Sequence, residues 1–264
     1  MKKTLRFTSA ALTLALAAGM ALPAFAAAKP SFSKDETVYA VMAPDGSVTS
    51  TTVSAHLYNA AGLSGVTDRS TLTDIVNTES DAAFTQNGDS LTWDTTDTDV
   101  YYKGNTSRAL PVSAAVTYTL DGETAPLENL LGKSGHLTIR IDLTNNETGT
   151  VTVNGAERTV VTPFITAVGV VLGEDASNVT LEHGLLESAA KSTVAAFVTL
   201  PGVRGALSGL LPDSFSAAED YLQDSVTVEA DVENLSAPQI LLASAASAEA
   251  LGQDNVFDLS SIHS

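Results

Sequence analysis

Hydrophobic and polar positions alternate most cleanly in the second half of the chain. From His136 to Thr144, Leu137, Ile139, Ile141 and Leu143 fall on one face, and His136, Thr138, Arg140, Asp142 and Thr144 fall on the other. A period of two predicts a half-buried antiparallel strand. Val112, Ala114, Val116, Tyr118 and Leu120 alternate with small or polar neighbours until Asp121-Gly122 ends the run. Further strands are expected at Val179–Glu182, Thr193–Leu200, Val226–Val232 and Gln239–Ala243. Thr159–Leu172 reads as one long apolar strand with a bulge or an edge at Pro163. Pro126–Leu131 is long enough for one helical turn, and Val203–Leu222 for a loop with a short helix. Seven strands over about 135 residues, without a longer helix among them, predict a two-layer antiparallel β-sandwich.

The pattern before Pro111 is choppier. Glu36–Met42 reads as a strand, and Pro44-Asp45-Gly46 supplies turn chemistry for a hairpin over Val38–Val53. Ala82–Trp93 reads as a second hairpin, with Asn87-Gly88 as a type I′ turn. Asp94–Asp99 turns the chain, and Val100–Lys103 is a short strand. Ser70–Asn77 places Leu72, Ile75 and Val76 at helical spacing and predicts a two-turn helix. The chain is thus mainly β with few short helices. Residues 27–108 are expected to form a β-meander, 109–246 the sandwich, and 247–264 a polar tail, the possible start of a helical region beyond Ser264.

The first 26 residues follow a different pattern. Lys2, Lys3 and Arg6 precede an uncharged apolar run from about Ala10 to Pro23, followed by Ala24-Phe25-Ala26. This is the layout of a secretory signal peptide, a helix removed near Ala26 or Ala28. The run falls short of the roughly 20 apolar residues a membrane anchor needs. No later run reaches that length, so no transmembrane segment is expected in the mature chain. The protein is expected outside the cell or at its envelope.

Charge narrows the partners. The chain has 13 basic and 31 acidic residues, a net charge of −18. Removing a leader that holds three of the basic residues and no acidic one leaves 10 against 31, or −21. Such a field repels phosphate backbones and anionic lipid, which argues against nucleic acid as a partner. There is no cysteine, so disulfides, thiolate nucleophiles and Cys-ligated metals are excluded.

The catalytic motifs are incomplete. Ser188-Ala189-Ala190-Lys191 and Ser31-Phe32-Ser33-Lys34 have S-x-x-K spacing, but neither is followed by S-D-N or K-T-G. Gly132-Lys133-Ser134 resembles the end of a phosphate-binding loop, but position 127 is Leu and a strand follows. His56, His136, His183 and His263 do not pair at metal-ligand spacing. No G-x-S-x-G elbow nominates a serine. The residues therefore offer no catalytic set.

Two clusters remain as binding candidates. Trp93, Tyr101 and Tyr102 lie close together on neighbouring strands. Exposed, they would stack on a sugar or a partner; buried, they are the core of the meander. Asp94, Asp97 and Asp99 fall within one turn, a carboxylate density that Ca²⁺ favours, although the EF-hand spacing is absent. No other cofactor is expected.

The order of several segments resembles a family of exported proteins from anaerobic Gram-positive bacteria. Lys34-Asp35-Glu36-Thr37-Val38-Tyr39 with Asp45-Gly46 resembles its opening. Val100-Tyr101-Tyr102-Lys103-Gly104, Leu110-Pro111-Val112 and Tyr118-Thr119-Leu120-Asp121-Gly122 follow in order. So do Gly132-Lys133-Ser134-Gly135, Leu137–Ile141, Thr162-Pro163-Phe164, Leu200-Pro201-Gly202 and Val228–Val232. The resemblance spans Lys34 to Leu259. It implies an architecture similar to the phage-infection-protein group of surface proteins, in which longer members continue into a helical region and a membrane segment. Phage or a surface protein are the partners it implies, beside the glycan that the aromatic cluster would take, and no catalytic residue comes with it.

Together these readings point to a non-enzymatic extracellular β-rich module with a structural or interaction role at the bacterial envelope. A carbohydrate-binding module is the alternative, and a serine enzyme acting on the cell wall comes third.

Overall fold

The computed structural model describes residues 32–153, 155–189, 191–207 and 221–246, and the backbone of Leu12–Leu16. It is built from antiparallel strands, as the alternation predicts. The strands are β1 (Leu12–Leu16), β2 (Ser33–Met42), β3 (Val48–Tyr58), β4 (Val66–Arg69), β5 (Thr73–Asn77), β6 (Phe84–Asn87), β7 (Ser90–Trp93), β8 (Asp99–Asn105), β9 (Val112–Leu120), β10 (Glu123–Thr124), β11 (Gly135–Asn145), β12 (Thr148–Val153), β13 (Ala156–Val161), β14 (Phe164–Leu172), β15 (Ala176–Leu181), β16 (Leu185–Ala189), β17 (Ser192–Thr199), β18 (Ser225–Val232) and β19 (Gln239–Ala246). The helical content is one 3₁₀ turn at Leu127–Asn129 and α1 at Val203–Ala206. The described residues divide into two compact units. One holds 32–40 and 50–109; the other holds 41–49 and 110–246.

In the first unit, a sheet ordered β1-β2-β3-β8-β5 accompanies a three-stranded sheet ordered β4-β7-β6. Their inward residues make one core. Val53, Ala55 and Leu57 from β3, Val66 from β4, Leu91 and Trp93 from β7, and Val100 and Tyr102 from β8 are all buried in it. Burying large side chains of this kind contributes about 1.5–3 kcal/mol each.

In the second unit, the sheets are ordered β10-β9-β11-β18-β15 and β16-β17-β14-β19. Each has one buried face, which makes the sandwich. Leu137, Ile139, Ile141 and Leu143 of β11 are buried, as are Val226, Val228, Ala230 and Val232 of the neighbouring β18. On β14, Phe164, Thr166, Val168, Val170 and Leu172 are buried. The tip of the β2–β3 hairpin belongs to this unit. Tyr118 donates its phenolic hydrogen to the Pro44 carbonyl at 3.0 Å, and burial pushes its pKa up to about 12. Gly46 has φ +89°, and a Cβ there would strike the Ala114 carbonyl. Only glycine meets both conditions at that turn.

Several expected elements differ. Ser70–Asn77 holds no helix. Leu72 is buried but Val76 is 53% exposed, so the spacing marks no single face. Thr73, Val76 and Asn77 instead pair with β8 around a bulge, where Asp74 takes φ +53°. The β6–β7 turn uses Gly88 and Asp89, because Asn87 pairs with Ser90. Only Gly88 has positive φ there, whereas type I′ needs two such residues. Thr159–Leu172 is two strands in different sheets. Pro163 cannot donate to a ladder, and the buried Asn145 side chain binds the Thr162 carbonyl at 2.7 Å where the chain breaks. In the expected signal helix, only the backbone of Leu12–Leu16 is described, and it is extended beside β2 at the sheet edge. An open edge offers unpaired amides and carbonyls that an apolar segment can satisfy by pairing. The expected tail at 247–264 lies outside the described residues.

Candidate functional site

Strand alternation separates the three candidate aromatics. Trp93 and Tyr102 are fully buried. Their ring centroids are 5.5 Å apart, and the Phe84 ring lies 5.0 Å from that of Trp93. This is the core arrangement, so neither ring is available to stack on a sugar. Tyr101, one residue earlier, points to the opposite face of β8. There it stacks on His56 of β3, with centroids 4.2 Å apart and ring planes 3° from parallel. His56 Nε2 is 2.8 Å from Asp99 Oδ1. Tyr58, two residues along β3, is 45% exposed.

The three candidate aspartates do not converge. Asp94 accepts a hydrogen bond from Ser64 Oγ at 3.3 Å. Asp99 accepts from Thr98 Oγ1 at 2.7 Å, and this bond, followed by the one with His56, lowers its pKa. At Asp97 the backbone amide donates to Thr95 Oγ1. Among the described residues, no group of three or more His, Asp or Glu side chains is disposed to hold a metal ion.

The S-x-x-K segment is not on a helix. Ser188 lies on β16 and its Oγ meets Thr193 Oγ1 of β17 at 3.3 Å. Lys191 sits beyond the strand, 85% exposed, with Nζ 3.4 Å from Glu174. Nucleophile and base are therefore directed to different partners. Two open depressions mark the described surface. One is lined by Thr71, Thr73, Asn105, Thr106, Ser107 and Arg108; the other by Arg158, Thr159, Val161, Gly202, Gly205 and Ala206. Neither lining includes a carboxylate or an imidazole.

The most concentrated chemistry lies inside the first unit. Lys34 points inward from β2, and its ammonium is 3.0 Å from each carboxylate oxygen of Asp68 on β4. Asp68 is 3% exposed. Glu36 Oε1 lies 2.9 Å from the same nitrogen, and the Arg69 carbonyl accepts from it at 3.1 Å. The Tyr102 phenol donates to Asp68 Oδ2, while its ring lies 5.8 Å beneath Nζ. Burial opposes the Lys34 charge, but the Tyr102 oxygen, Glu36 and Asp68 outweigh it and raise its pKa. Burial, and then the bond to Asp68, raise that of Tyr102. The neighbouring Trp93 indole N–H is buried without a hydrogen-bond partner. The sequence does carry a trace of this cluster. Lys34 and Glu36 share one face of β2 with the apolar Val38, Ala40 and Met42, and Asp68 takes the inward position two residues after Val66.

A second polar group lies on the exposed face of the sandwich. His136 Nδ1 is 2.9 Å from Asp231 Oδ1 across the β11–β18 register, and Asn178 donates to Asp231 Oδ2 at 2.8 Å. Arg140 clamps Asp142 on the same face.

No protein-family model matches this chain, and a search of curated proteins returns no match.

Proposed function

We propose that this chain is an exported, non-enzymatic β-rich module with a structural or interaction role at the bacterial envelope. The observation behind this reading is how the charged groups are used on the outer sheet faces. His56 with Asp99, His136 with Asp231, and Arg140 with Asp142 satisfy one another laterally. Groups paired in this way hold one another in place on the outer sheet faces, which fits a structural or surface-interaction role. An active site would in addition gather such groups with a nucleophile in one cleft, and the linings of the two depressions hold neither carboxylate nor imidazole. The basic head, short apolar run and Ala24-Phe25-Ala26 support export. The ordered segments from Lys34 onward support a place among Gram-positive surface proteins, with a surface protein or phage as partner.

Fractionation of the native host tests the reading directly. The protein is expected in the medium or wall fraction, with a mature N-terminus near residue 27 or 29. Cytoplasmic protein that begins at Met1 overturns it. A fluorophosphonate probe is expected to leave the chain unlabelled. Labelling that disappears in Ser188→Ala would turn the assignment to a serine enzyme.

A glycan-binding role is the second reading, favoured by one feature. Tyr58 and the stacked His56–Tyr101 pair offer aromatic surface on one outer sheet face. Retention on purified cell-wall glycan that is lost in Tyr58→Ala would move the assignment there.

A further inference from the structure

We infer that Lys34 and Asp68 are the two ends of an intramolecular amide cross-link, formed by the folded chain without any added reagent. The geometry carries the inference. Lys34 Nζ lies 3.0 Å from both oxygens of the Asp68 carboxyl. A nitrogen equidistant from the two oxygens lies within roughly 3–3.5 Å of the carboxyl carbon, the separation of a near-attack contact, and attack needs it to rise out of the carboxyl plane. The acceptor is 3% exposed, so almost no water competes for it. Two further groups touch the reacting atoms. Glu36 Oε1 is 2.9 Å from Nζ, and the Tyr102 hydroxyl donates to Asp68 Oδ2.

The reaction balances within this cluster. A proton passes from the Lys34 ammonium to the Asp68 carboxylate, giving a neutral amine beside a neutral acid. The amine attacks Cγ and the N–C bond forms. Oδ2, held by the Tyr102 hydroxyl, takes the developing negative charge, the role of an oxyanion donor. Glu36 accepts the second amine proton and delivers it to Oδ1. The C–O bond breaks and water leaves. Nothing is oxidised or reduced, and Glu36 ends as it began. The remaining amide N–H keeps one acceptor, the Arg69 carbonyl or Glu36.

The site also supplies a driving force. The water released on closure escapes to solvent from a site that is almost closed to it, which draws the condensation forward. The bond would join β2 in one sheet to β4 in the other, closing a loop over a sequence separation of 34 residues. That is the role a disulfide plays in exported domains, and this chain has no cysteine. In this arrangement Glu36 is a catalytic residue, and Tyr102 both catalyses and walls the site.

Peptide mapping by mass spectrometry of the full chain tests the proposal, with folding verified in each sample by circular dichroism. Proteolysis of wild type is expected to give a branched product containing Lys34 and Asp68, lighter than its two linear peptides by one water. Protease should no longer cut after Lys34. Lys34→Arg keeps the positive charge but has no primary amine, and should give only linear peptides and a melting midpoint lower by roughly 5 °C or more. Glu36→Gln should fold and form the branch at least about tenfold more slowly. Quantitative recovery of separate linear Lys34 and Asp68 peptides from folded wild type overturns the cross-link. Undiminished branching in folded Glu36→Gln overturns the assignment of Glu36.

Discussion

His56 and Tyr101 face each other directly across β3 and β8 with their rings almost parallel. Cross-strand aromatic pairs of this kind contribute roughly 0.5–1 kcal/mol beyond their separate burial. A double-mutant cycle of His56→Ala and Tyr101→Ala, followed by urea denaturation, should return a coupling of about that size. Additivity within error would reduce the pair to chance proximity.

The β11 core gives a large single-site effect. Ile139 is 1% exposed and pairs with Tyr118 on one side and Val228 on the other. Ile139→Ala removes buried methylenes and leaves a cavity, so unfolding free energy should fall by about 2–5 kcal/mol. A change below about 1 kcal/mol in chemical denaturation would mean that this strand is not central to the fold.

Thr166 and Ser244 form a buried hydroxyl pair, 0% and 2% exposed and 2.9 Å apart, between β14 and β19. Removing one hydroxyl orphans the other, at a cost of about 1–3 kcal/mol. Thr166→Val and Ser244→Ala should each destabilise by that amount, while the double variant recovers most of the loss. Thermal or urea melts of the three variants decide it, and simple additivity would contradict the pairing.

The His136–Asp231 contact predicts a pH signature. The hydrogen bond that His136 donates to Asp231 raises the His136 pKa above its ordinary 6.5, and the bonds that Asp231 accepts from Asn178 and then His136 lower its pKa below the ordinary 3.8. The histidine's contribution to stability is therefore complete below 6.5 and lost as pH rises through its raised value. The aspartate's contribution is complete above 3.8 and lost as pH falls through its lowered value. The pair should stabilise most between those limits. NMR titration of the His136 ring should place its midpoint above 6.5, and Asp231→Asn should bring it back down. Both residues are about half exposed, so added salt should shrink the effect.

The strand alternation, the all-β class and the inward set of β11 were legible in the chain because a pleated strand repeats every two residues whatever surrounds it. A turn such as Pro44-Asp45-Gly46 was legible for the same local reason: its backbone demands are met by the residues that make it. The helix expected at Ser70–Asn77 failed because a short apolar run has no period of its own. The partner strand β8 decided that it would be extended. Pro163 announced an interruption, but whether the chain bulged or changed sheets depended on Asn145, which is distant in sequence. Among the candidate site residues, adjacency misled. Tyr101 and Tyr102 are neighbours that must point to opposite faces, and Trp93 joins only the second of them. Lys34 and Asp68 showed the opposite relation. Their inward positions leave a trace in each segment, but only the pairing of two sheets over one core brought a lysine amine, two carboxyls and a phenol together. Periodicity is a property of the backbone and travels with the sequence. Convergence of distant side chains is a property of packing, and the tertiary structure alone decided it.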